Sequence, residues 1–155
     1  MKYLYYYETV IGKIGLAEEY GFLTNLCFMN VKQPLDAKVR ETELLKEAFL
    51  QIHEYLKGER KEFDIPLNPQ GSKFQQTVWS ELLNIPYGEV RSYKDIASSI
   101  GSQKSARAIG SANNKNPVPI IIPCHRVISA DGNISGYTGG SEIKEFLLKL
   151  EKENV

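Results

Sequence analysis

The amino-acid sequence predicts an α+β protein: an N-terminal antiparallel sheet with a covering helix, then a C-terminal region that is mainly helical. Three observations carry this prediction. Aromatic and β-branched residues interrupted by glycines fill the first forty positions. Apolar residues recur at helical spacing from Glu41 to Leu56. Beyond Asp64 to Gly71, a stretch bearing Pro66 and Pro69, the pattern changes to short helices. The 155 residues suit one domain or two closely joined parts, divided at 1–68 and 69–155. A chain of this size buries a core without a disulfide or metal staple.

In the first part, Tyr5-Tyr6-Tyr7 and Thr9-Val10-Ile11 precede Gly12 as a strand. Gly15-Leu16-Ala17 and Phe22-Leu23 flank a turn near Tyr20-Gly21, and Leu26 to Val31 reads as a third strand. Leu44, Leu45, Ala48, Phe49, Ile52, Tyr55 and Leu56 form the apolar stripe of the covering helix, with Gly58 as its stop.

In the second part, Phe74, Val78, Leu82 and Leu83 space a helix that ends before Ile85-Pro86-Tyr87-Gly88. Next come a short helix from Tyr93 to Ser99, a turn at Gly101-Ser102, and a helix from Lys104 to Asn113, with Ser92 or Ser102 placed as caps. This is the helix-turn-helix arrangement. The second of these helices is built from small residues, Ser105, Ala106, Ala108, Gly110, Ser111 and Ala112, with Arg107 as the long side chain among them. Such a face either packs on the protein's own core or approaches a DNA groove closely, Arg107 projecting into it. Asn116-Pro117-Val118-Pro119 ends the helix, and Ile120-Ile121-Ile122 reads as a short strand or extended run. Val127 to Tyr137, with a turn at Asp131-Gly132-Asn133, reads as a wing. Ser141 to Glu153 is a final helix with Ile143, Phe146, Leu147 and Leu150 on one stripe. The second part is therefore predicted to be a winged helix-turn-helix domain.

Composition narrows the function classes. No apolar run approaches the ~18 residues of a membrane span, and the N-terminus has neither the apolar core nor the cleavage site of a signal peptide. The expectation is a cytoplasmic protein, nuclear in a eukaryotic host, that engages no membrane. The net charge is zero, which argues against a strongly electrostatic nucleic-acid binder. Its distribution is uneven, however. Residues 1–70 carry nine basic and eleven acidic groups, whereas residues 73–126 carry seven basic and three acidic. A modest basic bias predicts only moderate salt dependence of DNA binding.

Cys27, Cys124, His53 and His125 have no CxxC or HxxxH spacing, so no metal site is expected. The zinc-deaminase signature needs a second cysteine where Val127 stands, which closes that reading. Cys27 in Leu26-Cys27-Phe28-Met29 reads as a buried, inert thiol. Cys124 is different: Pro123-Cys124-His125-Arg126 sets a thiol beside groups that favour the thiolate. In an extended strand Cys124 and His125 would face opposite ways. Either the chain turns there or a water relays the proton. From the residues alone, a nucleophile and an inert buried cysteine both remain open.

The segment from Asn116 to Val127, Asn116-Pro117-Val118-Pro119-Ile120-Ile121-Ile122-Pro123-Cys124-His125-Arg126-Val127, resembles the active-site segment of the 6-O-alkylguanine-DNA alkyltransferases, also called methylated-DNA–protein-cysteine methyltransferases. The resemblance extends upstream through Phe74-Gln75-Gln76-Thr77-Val78-Trp79, Ile85-Pro86-Tyr87-Gly88-Glu89 and Ser92-Tyr93. Downstream it runs through Tyr137-Thr138-Gly139-Gly140 to Lys144 and the last helix. It covers the chain from about Phe74 onward; the first part matches only in expected layout.

This resemblance implies direct-reversal DNA repair: irreversible, single-turnover transfer of a methyl or other alkyl group from the 6-oxygen of guanine in double-stranded DNA to Cys124. The 4-oxygen of thymine stays open as a second target. It further implies that His125, through a water, activates Cys124, with Glu151 rather than Glu145 orienting the histidine. Tyr93 would help extrude the nucleotide and donate a proton or hydrogen bond to the departing guanine. Asn116 would hold the turn beside the active-site segment. Arg107 would take the place of the flipped nucleotide, flanked by Ser105, Ala106 and Ala108 at the DNA. Pro119, Val127, Tyr137 and Thr138 would line the pocket for guanine and its alkyl group. No cofactor is implied, and nothing suggests a dimer.

Two departures accompany it. The zinc ligands that some members carry in the first part are absent, which leaves His53 a surface helix residue, and Asn113-Asn114-Lys115 is more polar than in many members. Two rival readings are a winged-helix regulator or damage sensor in which Cys124 is incidental, and a Cys-His hydrolase. Sensor relatives lack the acceptor cysteine, and no glycine-rich nucleophile loop supports the hydrolase.

Overall fold

The computed structural model describes residues 1–29, 36–102, 104, 106–132 and 136–155. Its first layer is a sheet of β1 (Lys2–Thr9), β2 (Gly12–Glu19), β3 (Phe22–Phe28) and the two-residue β4 (Lys38–Val39), in the order β3-β2-β1-β4. The three long strands pair antiparallel through two tight turns. At the second turn, Tyr20 and Gly21 both adopt positive φ, the geometry that matches strand twist in a two-residue hairpin. Phe22–Phe28 is one strand, so Phe22-Leu23 and Leu26 belong together; the end of the expected third strand, Asn30 and Val31, lies outside the described residues. β4 adds a parallel edge to β1, which no local pattern announces in so short a strand.

α1 (Glu43–Leu56) covers this sheet. Thr42 caps it, accepting from the Leu45 amide, and Leu45, Ala48, Ile52, Tyr55 and Leu56 face inward. The outer edge of β3 is closed by the chain's own later segments. Leu23 exchanges backbone hydrogen bonds with Pro66 and Asn68, and Leu26 donates to the Pro117 carbonyl. An otherwise exposed edge is thus joined to the rest of the molecule.

The remainder is α2 (Lys73–Leu82), the two-residue β5 (Arg91–Ser92), α3 (Tyr93–Ser99), α4 (Ala106–Asn114), a 3-10 turn at Cys124–Arg126, β6 (Val127–Ile128) and α5 (Ser141–Glu153). Ser72 and Gln75 form a capping box on α2, and Ser92 and Asp95 form another on α3. α3 ends as a Schellman motif: Gly101 (φ 64) donates to Ser98, and Ser102 donates to Ala97. That motif is the turn of the helix-turn-helix. Ser105, at its far side, lies outside the described residues, as does Gln103.

One expectation for this region changes. Ile120-Ile121-Ile122 is a turn rather than a strand, since Ile122 donates back to Val118 and Ile120 has φ 75. Of the expected wing, the first stretch and the start of the turn lie among the described residues, Gly132 donating back to Ser129. Val127–Ile128 pairs in parallel with Arg91–Ser92, and the stretch that would return from the Asp131-Gly132 turn includes residues 133–135, outside the described residues. Among the described residues no helix is long and apolar enough to cross a membrane.

One continuous core runs from Ile14, Leu16 and Ile52 to Val78, Trp79, Ile109 and Leu147. Trp79 is 2% exposed and donates its indole N–H to the Ala112 carbonyl, tying α2 to α4. Trp79→Phe keeps most of the apolar surface but strands that carbonyl, and is expected to cost about 1–3 kcal/mol. Because Trp79 is the chain's one tryptophan, urea titration followed by circular dichroism is the appropriate measurement.

Candidate active site

The segment before Cys124 is held by one amide. Asn116 accepts from the Val118 amide (2.9 Å) through Oδ1 and donates to the Ile122 carbonyl (2.8 Å) through Nδ2. This clamp closes the turn that carries Ile120 in the left-handed region, where a β-branched residue costs on the order of 1–3 kcal/mol. Asn113, the first residue of the polar stretch Asn113-Asn114-Lys115, is 3% exposed and donates to the Cys124 carbonyl at 3.3 Å. Cys124 donates its own amide to Ile122 and opens the 3-10 turn.

A 3-10 turn advances about 120° per residue, so Cys124, His125 and Arg126 point three different ways instead of alternating across a strand. His125 and Arg126 both reach Glu151 on α5. His125 Nε2 lies 2.7 Å from Oε2, Arg126 Nε donates to Oε1 at 2.8 Å, and Arg126 Nη2 donates to Oε2 at 3.0 Å. The Gly88 amide donates to Oε1 at 3.1 Å, presented by a turn in which Gly88 has φ 82. The Tyr55 hydroxyl on α1 donates to Oε2 at 2.5 Å. Arg126 Nη1 donates to the Ile85 carbonyl at 2.7 Å. Glu151 is 1% exposed and His125 is fully buried, so these are interior groups. Glu145, on the same helix, is exposed.

Burial alone would raise the Glu151 pKa, yet the hydrogen bonds from His125, Arg126 and Tyr55 hold it far below the ordinary carboxylate range. An ionised carboxylate only accepts, so His125 must present N–H at Nε2. That leaves Nδ1 with a lone pair, and no described residue hydrogen-bonds it. Burial also lowers the pKa of His125, with Glu151 opposing. The imidazole is therefore a neutral base with one nitrogen anchored.

Cys124 is 1% exposed. Burial pushes its thiol up to about 11, opposed by the Asn116 side chain and the charge of Lys144. Lys144, 1% exposed, donates to the Val127 carbonyl at 2.7 Å, and burial lowers its own pKa. A buried ammonium aimed at this turn steadies a thiolate once formed.

Tyr93 and Tyr137 both border Cys124: burial first, then the cysteine's charge, raises the pKa of each hydroxyl. Pro119, Val127 and Tyr137 are buried, whereas Thr138 donates its hydroxyl to the Asn114 carbonyl at 2.8 Å and so fastens this loop to the end of α4. A groove of about 500 Å³ opens beside them, lined by Tyr93, Ala106, Arg107, Gly110, Ser111 and Asn114 among others. Arg107 is exposed at its mouth, while Ala108 is half-buried and off the lining. Cys27 is half-buried and not in a disulfide, and His53 is exposed.

Sequence reasoning missed Tyr55 and Gly88 as members of this centre, and it read Arg126 as a neighbour of the thiol without its pairing to Glu151. Arg126 had a readable signal, a charge inside an apolar run between Pro123 and Ile128. Tyr55 had none beyond its place on the stripe of α1.

Residues 73–153 match the DNA-binding domain of 6-O-methylguanine DNA methyltransferase, and residues 1–69 match the ribonuclease-like domain of the same family. A methylated-DNA–protein-cysteine methyltransferase of Methanosarcina acetivorans is 48% identical over 153 residues, 96% of this chain and 98% of that protein. A constitutive one from Bacillus subtilis is 46% identical, covering 98% of this chain and 96% of that protein. The crystal structure of Mycobacterium tuberculosis O6-methylguanine methyltransferase superposes with a TM-score of 0.93 at 42% identity, over 100% of this chain and 95% of that one. The same organism's enzyme in complex with DNA gives 0.92 at 42% identity, over 99% and 94%.

The electrostatics of the site set two expectations. The thiol pKa is raised on folding, so its stabilisation is complete below the unfolded value near 9.0 and is lost as pH rises towards about 11. Melting curves across that window should fall more steeply for the native chain than for Cys124→Ala. Separately, Glu151→Gln leaves Arg126 uncompensated in the interior and is expected to cost about 3–5 kcal/mol in denaturant unfolding.

Proposed function

The chain belongs to the 6-O-methylguanine DNA methyltransferase family, and from that premise we propose that Cys124 is its alkyl acceptor. The activity is DNA repair by direct reversal, a methylated-DNA–protein-cysteine S-methyltransferase reaction on double-stranded DNA. The observation that carries the assignment to Cys124 is the turn at Cys124–Arg126, which places a buried thiol next to a histidine anchored by Glu151.

The chemistry proceeds as an in-line displacement at the alkyl carbon. Cys124 passes its proton through a water to Nδ1 of His125, whose Nε2–H stays on Glu151. Burial makes this transfer costly in isolation, and Lys144 and the nascent imidazolium offset it. The Sγ–carbon bond forms as the carbon–oxygen bond to guanine breaks. The departing guanine takes a hydrogen bond from Tyr93, and in the net reaction it gains the proton that the thiol lost. The thioether has no leaving group, so each molecule acts once.

The guanine 6-oxygen lies within the base stack, and a thiol 1% exposed is reached only by an extruded nucleotide. The groove along α4 suits that path. Arg107 at its mouth fills the gap in the duplex, Ala106 permits close approach, and Pro119, Val127, Tyr137 and Thr138 frame the base. Asn116 maintains the turn on which Cys124 sits. We take 1–68 and 69–155 as the two parts, the second bearing DNA contacts and acceptor, in a monomer that works where the cell keeps its DNA, the cytoplasm or a nucleus. A non-catalytic damage sensor would have no use for a thiol so placed.

Incubation with a duplex containing methylguanine, followed by intact mass and peptide mapping, should add one methyl to Cys124 and stop at one equivalent. An unmodified Cys124 on repaired DNA would sink the assignment. Arg107→Ala should slow transfer on duplex DNA by roughly tenfold, the scale of a lost share of the unstacking energy, and slow it less on single strands. Equal loss on both substrates would remove Arg107 from extrusion.

A further inference from the structure

We propose that Tyr55, contributed by α1, is a positioning residue for the transfer reaction, setting the orientation and basicity of His125 through the carboxylate that both share. The proposal rests on the reading of His125 as the base. Tyr55 stands 96 residues from Glu151 in sequence yet is fully buried against it. Its ring is packed by Phe63 (5.4 Å between centroids) and edge-on by Tyr87 (6.2 Å), so the hydroxyl has a fixed address.

That hydroxyl touches both members of the pair. It lies 2.5 Å from Glu151 Oε2 and 3.3 Å from His125 Nε2. The ionised carboxylate cannot donate, so the Tyr55 proton points to Oε2 and the phenol oxygen turns its lone pairs towards the Nε2–H of His125. The imidazole N–H therefore faces two oxygens, which holds the ring with Nδ1 directed away from Glu151. An inward-facing tyrosine whose purpose is packing would be served equally by phenylalanine, with no buried hydroxyl to satisfy.

The effect on basicity has a definite sign. Three donors share Oε2: Tyr55, His125 and Arg126 Nη2. Tyr55 and Arg126 each withdraw charge from that oxygen and weaken its hold on the imidazolium of His125. Removing the Tyr55 hydroxyl concentrates charge on Oε2 and makes His125 more basic. The same change removes a phenol lone pair from Nε2–H, with the opposite effect, but at 3.3 Å that contact is much the weaker. The sheet-and-helix part of the chain thus tunes the reaction centre instead of merely supporting it.

The test compares the native chain with Tyr55→Phe, which retains the ring, in an otherwise His53→Gln background. His53 and His125 are the two histidines, so His125 then gives the single imidazole signal in nitrogen-15 NMR. In DNA-free protein the His125 titration should move up by about 0.5–1 pH unit, the size of one hydrogen bond. The acidic limb of the single-turnover rate profile should move up with it. An unshifted titration and profile in a folded Tyr55→Phe protein would overturn the proposal. In the native chain a slowly exchanging Tyr55 hydroxyl proton should show a nuclear Overhauser contact to the His125 Nε2 proton, and its absence would overturn the geometry even if the variant does not fold. If Cys124 takes up no methyl while the NMR shift is seen, the proposed function fails and the Tyr55–His125 coupling stands.

Discussion

The carboxylate of Glu151 is the point on which the rest of the molecule converges. It is an interior anion with five hydrogen bonds, donated by an arginine, a histidine, a tyrosine and a backbone amide. A buried charge is tolerated only with partners of this kind. Because the donors come from α1, the Gly88 turn and the Cys124–Arg126 turn, and the acceptor from α5, satisfying one side chain fixes the relative placement of four segments. The reactive geometry and the architecture are in this sense a single constraint.

The same constraint bears on the order of events in the proposed chemistry. A histidine anchored at Nε2 leaves Nδ1 as the nitrogen the proposed transfer would use, and burial lowers its pKa. A thiol pushed up by burial keeps its proton until the site is filled. Asn116 plays a mechanical part alongside this electrostatic one, since its amide holds closed the turn that forces Ile120 into a conformation a β-branched residue avoids.

Most of the helices were legible in the sequence: α1, α2 and α5 through an apolar stripe, and α3 through its serine cap and the glycine turn that follows it. Tyr93–Ser99 was delimited by Ser92 and Gly101, and the structure ends it with the hydrogen bonds those residues imply. Ile120-Ile121-Ile122 misled because three β-branched residues favour a strand, and the side-chain clamp from Asn116 just before them overrides that preference. β4 was invisible because two residues make no pattern. In the site, the roles expected of Cys124, His125, Glu151, Tyr93 and Asn116 came from the family resemblance of the blocks that hold them, and the structure joins His125 to Glu151 and Asn116 to the turn before Cys124. Tyr55 and Gly88 were not, since their contacts to Glu151 span 96 and 63 residues and leave no local trace.

The 1% exposure and raised pKa of Cys124 have a consequence for the protein's shelf life. A catalyst that turns over tolerates occasional side reactions, but a reagent used once cannot. With burial pushing its thiol up, very little of it is thiolate at neutral pH. Oxidants, disulfides and stray electrophiles in solution thus meet an almost inert, sheltered sulfur. The burial that slows the wanted reaction also keeps the single charge of reactivity intact until a lesion is found.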